Sequence, residues 1–373
     1  MISEFLLDIV EQEKAKAILT RIYESRRVPH AFLFCGKDGI GKFNTAIQFA
    51  KLLNTGEEQS DFNAALNAKI SSLNEPYIKL IMPLPRGKGE GGDDSAFDKL
   101  SKEIIENVTQ EIKKKVTNPY HKISIEDANT IKISSIREVK KFVSVQLDDV
   151  KFRVVIILDA HLMNDQAQNA LLKNLEEPPE GIVFILITSD KEKLLHTIQS
   201  RCWTINFEPL SETTVTSIMK KYFFVDDPVA SKVAHFADGS VTDALSLTIS
   251  EFDSILEKTI SVLRFSLAKR YNSAYKELYS FLKDNSNDCI TMLVRMIKTW
   301  TRDVAKNKSN IENYYFENYA DTLVKFNNRF SEVNISKLFS TLDSLDENYS
   351  KKVNLNVLSL NLIFEISSVS IGN

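Results

Sequence analysis

Gly36-Lys37-Asp38-Gly39-Ile40-Gly41-Lys42-Phe43 has the spacing of a phosphate-binding loop up to its last position, where a hydroxyl is expected and a phenylalanine stands. In such a loop the glycines let backbone N–H groups close around phosphates, the lysine reaches the terminal phosphates, and a Ser or Thr hydroxyl ligates Mg²⁺. Phe43 cannot ligate a metal. The motif therefore points to phosphate binding without metal-assisted hydrolysis. Cys35, Cys202 and Cys289 are far apart with no CxxC pair, which supports neither a disulfide framework nor a zinc ribbon. His30, His121, His161, His196 and His235 show no metal-ligand spacing and read as surface or capping histidines, so no metal site is expected.

The elements around the loop have the right order for it. An apolar strand at 31–35 precedes it and a helix at 44–53 follows, which is the strand-turn-helix context the motif requires. Helical spacing over 1–23 predicts one or two short helices leading in. Residues 55–118 offer one short strand at 78–82, a mobile Gly/Asp turn at 87–94 and a charged helix at 96–116 with a solvated face; the second half, from about 84, reads as an insertion. Residues 131–133 alternate as a short strand, and Ser135 with Glu138 has capping-box spacing. The β-branched run 154–158 suits a strand buried on both faces and ends at Asp159. A helix at 164–175 stops at Glu176-Glu177-Pro178-Pro179, and 183–187 is another buried strand. Strands alternating with helices after a phosphate loop predict an α/β doubly wound parallel sheet.

Whole-chain properties bound the rest. At 373 residues the chain exceeds one ordinary core and divides into a P-loop core (1–207), a small helical lid (208–250) and an all-α region (251–373). With 43% hydrophobic and 26% charged residues it has a soluble, globular composition. A net charge of −3 gives no global attraction for nucleic acid, so such a contact needs a local basic stripe. Lys132, Arg137, Lys140 and Lys141 form one around a helix start. Asp8, Glu11 and Glu13 interrupt the opening apolar residues and no run of about 18 apolar residues occurs, so a cytoplasmic protein is expected.

Three segments together resemble one family. They are the loop itself, the stretch Leu158-Asp159-Ala160-His161-Leu162-Met163-Asn164-Asp165-Gln166-Ala167-Gln168-Asn169-Ala170-Leu171-Leu172-Lys173-Asn174-Leu175-Glu176-Glu177-Pro178-Pro179, and Leu194-Leu195-His196-Thr197-Ile198-Gln199-Ser200-Arg201-Cys202. Over roughly residues 1–250 they are similar to the AAA+ clamp-loader subunits of bacterial DNA polymerase III, and the helical remainder is similar in kind to their collar. The resemblance implies a degenerate nucleotide site at Gly36, Gly39, Gly41, Lys42, Phe43, Asp159 and Thr188. Ala160 stands where hydrolysing members carry a water-polarising Glu, and Thr242 where they carry the sensor-2 arginine. By contrast Ser200-Arg201-Cys202 is intact, and Arg201 corresponds to the arginine finger that enters a neighbour's ATP site.

A finger without a competent site of its own resembles the delta-prime type of subunit. What this implies is a non-enzymatic member of a hetero-pentamer with gamma/tau and delta types, acting with a sliding clamp and primer-template DNA without sequence preference. It would need no cofactor and hold ADP or ATP weakly at most. The four-cysteine zinc module of many relatives is missing, since no cysteine lies between Cys35 and Cys202. The competing readings are an ATP-hydrolysing gamma/tau-type subunit and a nucleotide-binding scaffold outside replication.

Overall fold

The computed structural model describes residues 2–55, 61–89, 94–144, 150–249, 252–283, 288–330 and 355–368, with scattered positions between 335 and 342. Contacts divide the chain into two compact units, residues 1–230 with 238–243 and residues 231–237 with 244–373. The division runs through 208–250, the stretch expected to form a lid.

In the first unit five parallel strands, β1 (Ala31–Cys35), β2 (Ile78–Ile81), β3 (Arg153–Ile157), β4 (Ile182–Thr188) and β5 (Trp203–Asn206), lie in the order β2-β3-β4-β1-β5. Helices α1 (Ile2–Asp8) and α2 (Glu13–Glu24) precede β1, and α3 (Lys42–Asn54) and α4 (Asp61–Ser71) precede β2. Next come α5 (Lys102–Thr117) and α6 (Ile133–Ser144), then α7 (Asp165–Glu176) between β3 and β4, α8 (His196–Gln199) before β5, and α9 (Glu212–Phe223) after it. Every residue of β1, β3 and β4 is buried, as continuous apolar runs in a parallel sheet covered on both faces must be. Side chains alternate between the faces. Leu33, Val155, Ile157, Phe184 and Leu186 pack with Ile136, Val139, Phe142, Leu171 and Leu175 of α6 and α7. Phe32 packs edge-on against Phe49 of α3, with ring centroids 5.3 Å apart. This is the α/β doubly wound sheet that the strand and helix alternation implies.

Helices α10 (Asp227–Phe236) and α11 (Val241–Ile249) straddle the division, and the second unit adds α12 (Phe252–Leu267), α13 (Tyr271–Lys283), α14 (Asp288–Lys308), α15 (Ala320–Arg329) and α16 (Leu355–Ser368). Every regular element among its described residues is a helix. Phe236 packs against Phe252 and Phe316 at 5.1 and 5.3 Å, and Trp300 meets Phe326 edge-on at 4.8 Å. Buried Asp303 accepts from the Tyr315 and Phe316 amides at 3.0 and 2.8 Å and so fixes the turn after α14.

Several local expectations are corrected. Residues 131–133 are not a strand: only Ile131 bridges, to Met163, because the chain turns into α6 at Ile133. Ser135 is therefore inside the helix, and its buried hydroxyl has no hydrogen-bond partner instead of capping. Glu138 serves elsewhere, accepting from Ser95 Oγ and the Ala96 amide at 3.1 Å each and pairing with Lys79. Those contacts hold 95–98 as a turn, so α5 begins only at Lys102, where Ser101 caps it through the Ile104 amide. Its face is not all solvated, since Val108, Glu111 and Lys115 are buried. Helix α4 and strand β5 carry too little periodicity to have been expected. The Gly/Asp turn lies partly outside the described residues, at 90–93, as does the Cys289 side chain.

Leu171 is fully buried where α7 meets the sheet. Leu171→Ala should cost about 2–5 kcal/mol, from lost transfer energy and the cavity left behind. The shift in urea midpoint of the first transition measures it, and a loss under about 0.5 kcal/mol, the level of a surface change, would contradict this packing.

Candidate functional site

β3, β4 and β1 are neighbours in the sheet, so the loops leaving their carboxyl ends meet. From β1 comes 36–42, from β3 Asp159, and Thr188 is the last residue of β4. The Gly36 amide donates to the Thr188 carbonyl at 3.2 Å. Gly39 has φ +71°, and a Cβ there would lie 2.4 Å from the Thr242 nitrogen, so only glycine fits. The chain's own groups tether the loop's outer carbonyls. Gln12 Nε2 donates to Ile40 O at 3.2 Å, Ser240 Oγ to Asp38 O at 2.8 Å, and the Val241 amide to Gly39 O at 3.3 Å. Thr242 thus packs its backbone on Gly39 and brings no positive charge.

Inside the loop Lys42 Nζ donates to the Gly36 and Lys37 carbonyls, and burial pushes its pKa down to about 8. Phe43 does not leave a gap where the hydroxyl is missing. The Lys115 ammonium lies 4.7 Å from the Phe43 ring centroid, a cation–π contact, and donates to the carbonyls of Pro119 and His121 at 2.9 and 2.6 Å. Burial pushes Lys115 down to about 8 as well. Burial works to raise Asp38, but Lys122, 3.2 Å away, and Lys42 hold it below the ordinary carboxylate value. Asp159, with a left-handed backbone at φ 50°, is raised by its burial and by Asp38. Ala160 begins a short turn, and no carboxylate follows Asp159. His161 is not a surface histidine: its Nδ1 is 3.1 Å from Thr188 Oγ1, and burial lowers its pKa. Thr188 Oγ1 also accepts from the Asp190 amide at 3.0 Å.

The loop glycines Gly39 and Gly41, Lys42, Phe43 and Asp159 therefore do converge, together with Asp38 and Thr242, but around a cavity of only about 70 Å³. Ligand pockets usually hold about 300–1,000 Å³. Lys115, Tyr120 and Lys122 are among the residues that line this cavity. Sequence reasoning missed all three, because a lysine within Lys113-Lys114-Lys115 has no signal of burial; its only mark is a place one helical turn after Glu111. Glu111 accepts from Lys114 Nζ, His121 Nε2 and the Ser124 amide at 2.7, 2.8 and 3.0 Å, and these partners outweigh burial to hold its pKa at about 2.

Arg201 lies apart from this cluster. Its guanidinium is partly exposed, donating from Nη1 to the Thr197 carbonyl at 3.0 Å and pairing through Nη2 with Glu176 at 2.9 Å. Ser200 Oγ bonds the same carbonyl at 3.2 Å, so both residues are set by the end of α8. An exposed pair of this kind contributes about 0–1 kcal/mol and exchanges readily for another anion. Of the basic stripe, Arg137, Lys140 and Lys141 share the exposed face of α6, while half-buried Lys132 donates to Pro85 O at 3.0 Å. Lys132 and Arg86 line a polar cavity of about 420 Å³ at the start of α6. Among the described residues no group of three or more His, Cys, Asp or Glu side chains is placed to hold a metal ion, and no helix is long and apolar enough to cross a membrane.

Fold and site together define an AAA+ protein with a P-loop. Residues 11–211 match the family described as DNA polymerase III, delta subunit, and the chain belongs to that family of clamp-loader-like subunits. It is 30% identical over 246 residues to DNA polymerase III subunit tau/gamma of Haemophilus influenzae, covering 65% of this chain and 30% of that protein. It is 27% identical over 277 residues to subunit tau of Bacillus subtilis, covering 73% and 41%. The chain thus spans 30–41% of the length of these two relatives. Among solved structures, a DNA polymerase III gamma subunit-related protein of Thermotoga maritima aligns over 96% of this chain and 100% of its own. At 16% identity and a TM-score of 0.43 it adds nothing to the assignment.

Because Glu111 titrates at about 2 in the fold and at 4.5 ordinarily, its contribution is fully present above pH 4.5 and fades as pH falls towards 2. Glu111→Gln should destabilise the chain at pH 7, and the difference from wild type should shrink across that window in matched urea titrations. A difference independent of pH would contradict the role given to the carboxylate.

Proposed function

We propose that the chain acts as a non-hydrolysing, delta-prime-like subunit of the DNA polymerase III clamp loader, lending Arg201 to the ATP site of a neighbouring subunit. One coincidence carries this reading. Phe43, Ala160 and Thr242 remove the metal-binding hydroxyl, the water-polarising carboxylate and the sensor cation from one site, while Arg201 stays on the surface in a weak, exchangeable pair. Ring partners of gamma/tau and delta types, a sliding clamp and a cytoplasmic setting follow from the same reading. The helical second unit would be the collar. Primer-template DNA would be tracked through its phosphates by Arg137, Lys140 and Lys141, with Lys132 at the start of α6, independently of sequence.

The names of the relatives favour a second reading, an ATP-hydrolysing gamma/tau-type subunit. It requires all three losses to be compensated. His161 is the next side chain along the sequence that could act as a base, and its ring already engages Thr188.

Arg201→Ala should leave folding and ring incorporation within about 0.5 kcal/mol of wild type, as for most exposed side chains. Clamp- and DNA-stimulated ATPase of the reconstituted loader should fall through the one site this chain abuts, by about 10³-fold or more at that site. Arg201→Lys should fail too, because a point charge lacks the planar fork that contacts two phosphate oxygens. Unchanged ATPase and clamp loading in a fully assembled mutant complex would overturn the proposal.

A further inference from the structure

The P-loop is furnished from within the chain, and the furnishing is continuous in sequence. Residues 115–122 touch the loop at three places. Lys115 rests on the Phe43 ring, the Tyr120 hydroxyl lies 3.6 Å from where a Cβ on Gly41 would be, and Lys122 pairs with Asp38 at 3.2 Å. The segment is also clamped from behind. Asn118 Nδ2 donates to the Tyr222 carbonyl at 3.4 Å and the Tyr120 ring packs on Tyr222 at 5.6 Å, while the Glu111 carboxylate holds His121 and Ser124. Lys115 has no capacity left for a ligand, with two carbonyl acceptors and an aromatic face. Lys42 is turned inward onto loop carbonyls.

We infer that residues 115–122 are a built-in plug that occupies the nucleotide site of this P-loop, with the Lys115 ammonium on Phe43 as its fixed cation. Phe43 is then more than a lost metal ligand. A hydroxyl at that position would offer Lys115 no aromatic face, and an ammonium buried without its partners is costly. The plug rests on the non-hydrolysing reading and extends it: the loop keeps its fold with no nucleotide bound, so the subunit's shape does not follow the ATP cycle of its neighbours.

The test is titration of the full-length protein with ADP, followed by calorimetry, for wild type and for the double variant Lys115→Ala, Tyr120→Ala. Wild type should give no saturable signal up to about 1 mM, the weak end of useful affinity. The double variant, if its thermal melt remains cooperative, should bind at least tenfold more tightly, and adding Lys42→Ala should abolish the gain. Equal binding by wild type and variant, or a folded variant that still does not bind, would overturn the plug. If the variant does not fold, hydrogen exchange of wild type decides. Protection of the amides of 116–124 should be the same with and without saturating Mg²⁺-ATP, and loss of protection on adding ATP would show the segment displaced and overturn the plug. ATP binding without turnover would remove the plug alone, whereas Lys42-dependent ATP hydrolysis by wild type would remove the non-hydrolysing reading as well.

Discussion

A glycine-rich loop at the end of a buried strand presents more backbone polar groups than its own turn can satisfy, and each must find a partner or carry the cost of burial. In a nucleotide-binding protein phosphates accept from the loop's N–H groups. The loop's carbonyls need donors instead, and here the chain supplies them. Gln12, Ser240 and Val241 hold the outer carbonyls, Lys42 holds the inner ones, and Lys115 sits over the ring that replaced the metal-binding hydroxyl. The residues involved come from positions as distant as 12 and 241, so the loop ties the start of the chain, the insertion and the segment after β5 into the first unit.

The same satisfaction explains how electrostatics divide within the site. Asp38 stays ionised because Lys122 and Lys42 face it, whereas Asp159, buried beside Asp38, is pushed toward its neutral form. A catalytic carboxylate would need the opposite arrangement, a charge free to hold a metal. On Arg201 the constraint runs the other way. Its partners are one carbonyl and one partly exposed carboxylate, which position the fork without binding it firmly.

The sheet was legible because its signals are local. Continuous apolar runs at 31–35, 154–158 and 183–187 can do little else in a chain with a phosphate loop, and the Asn164 cap and Pro178-Pro179 mark the limits of α7. β5 carries little local signal because its pattern is mostly exposed, and Ile131 and Ile133 mimic strand alternation although only Ile131 bridges and Ile133 opens α6. At the site, Phe43, Ala160 and Thr242, on which the non-hydrolysing proposal rests, are legible in residue identity alone. What fills the loop is not. Lys115 and Glu111 look like any charged helix pair, and only tertiary placement turns them inward, with hydrogen bonds that span from 111 to 124 and a ring contact to 43.

The most direct measurement is a cryo-EM structure of the reconstituted loader on primed DNA with Mg²⁺ and a non-hydrolysable ATP analogue. The expected result is analogue in the neighbouring site, with the Arg201 guanidinium moved from Glu176 onto its terminal phosphate, and residues 115–122 in place over an unliganded loop in this chain. Analogue and Mg²⁺ in this chain's own loop, or Arg201 still on Glu176 and away from any nucleotide, would contradict it.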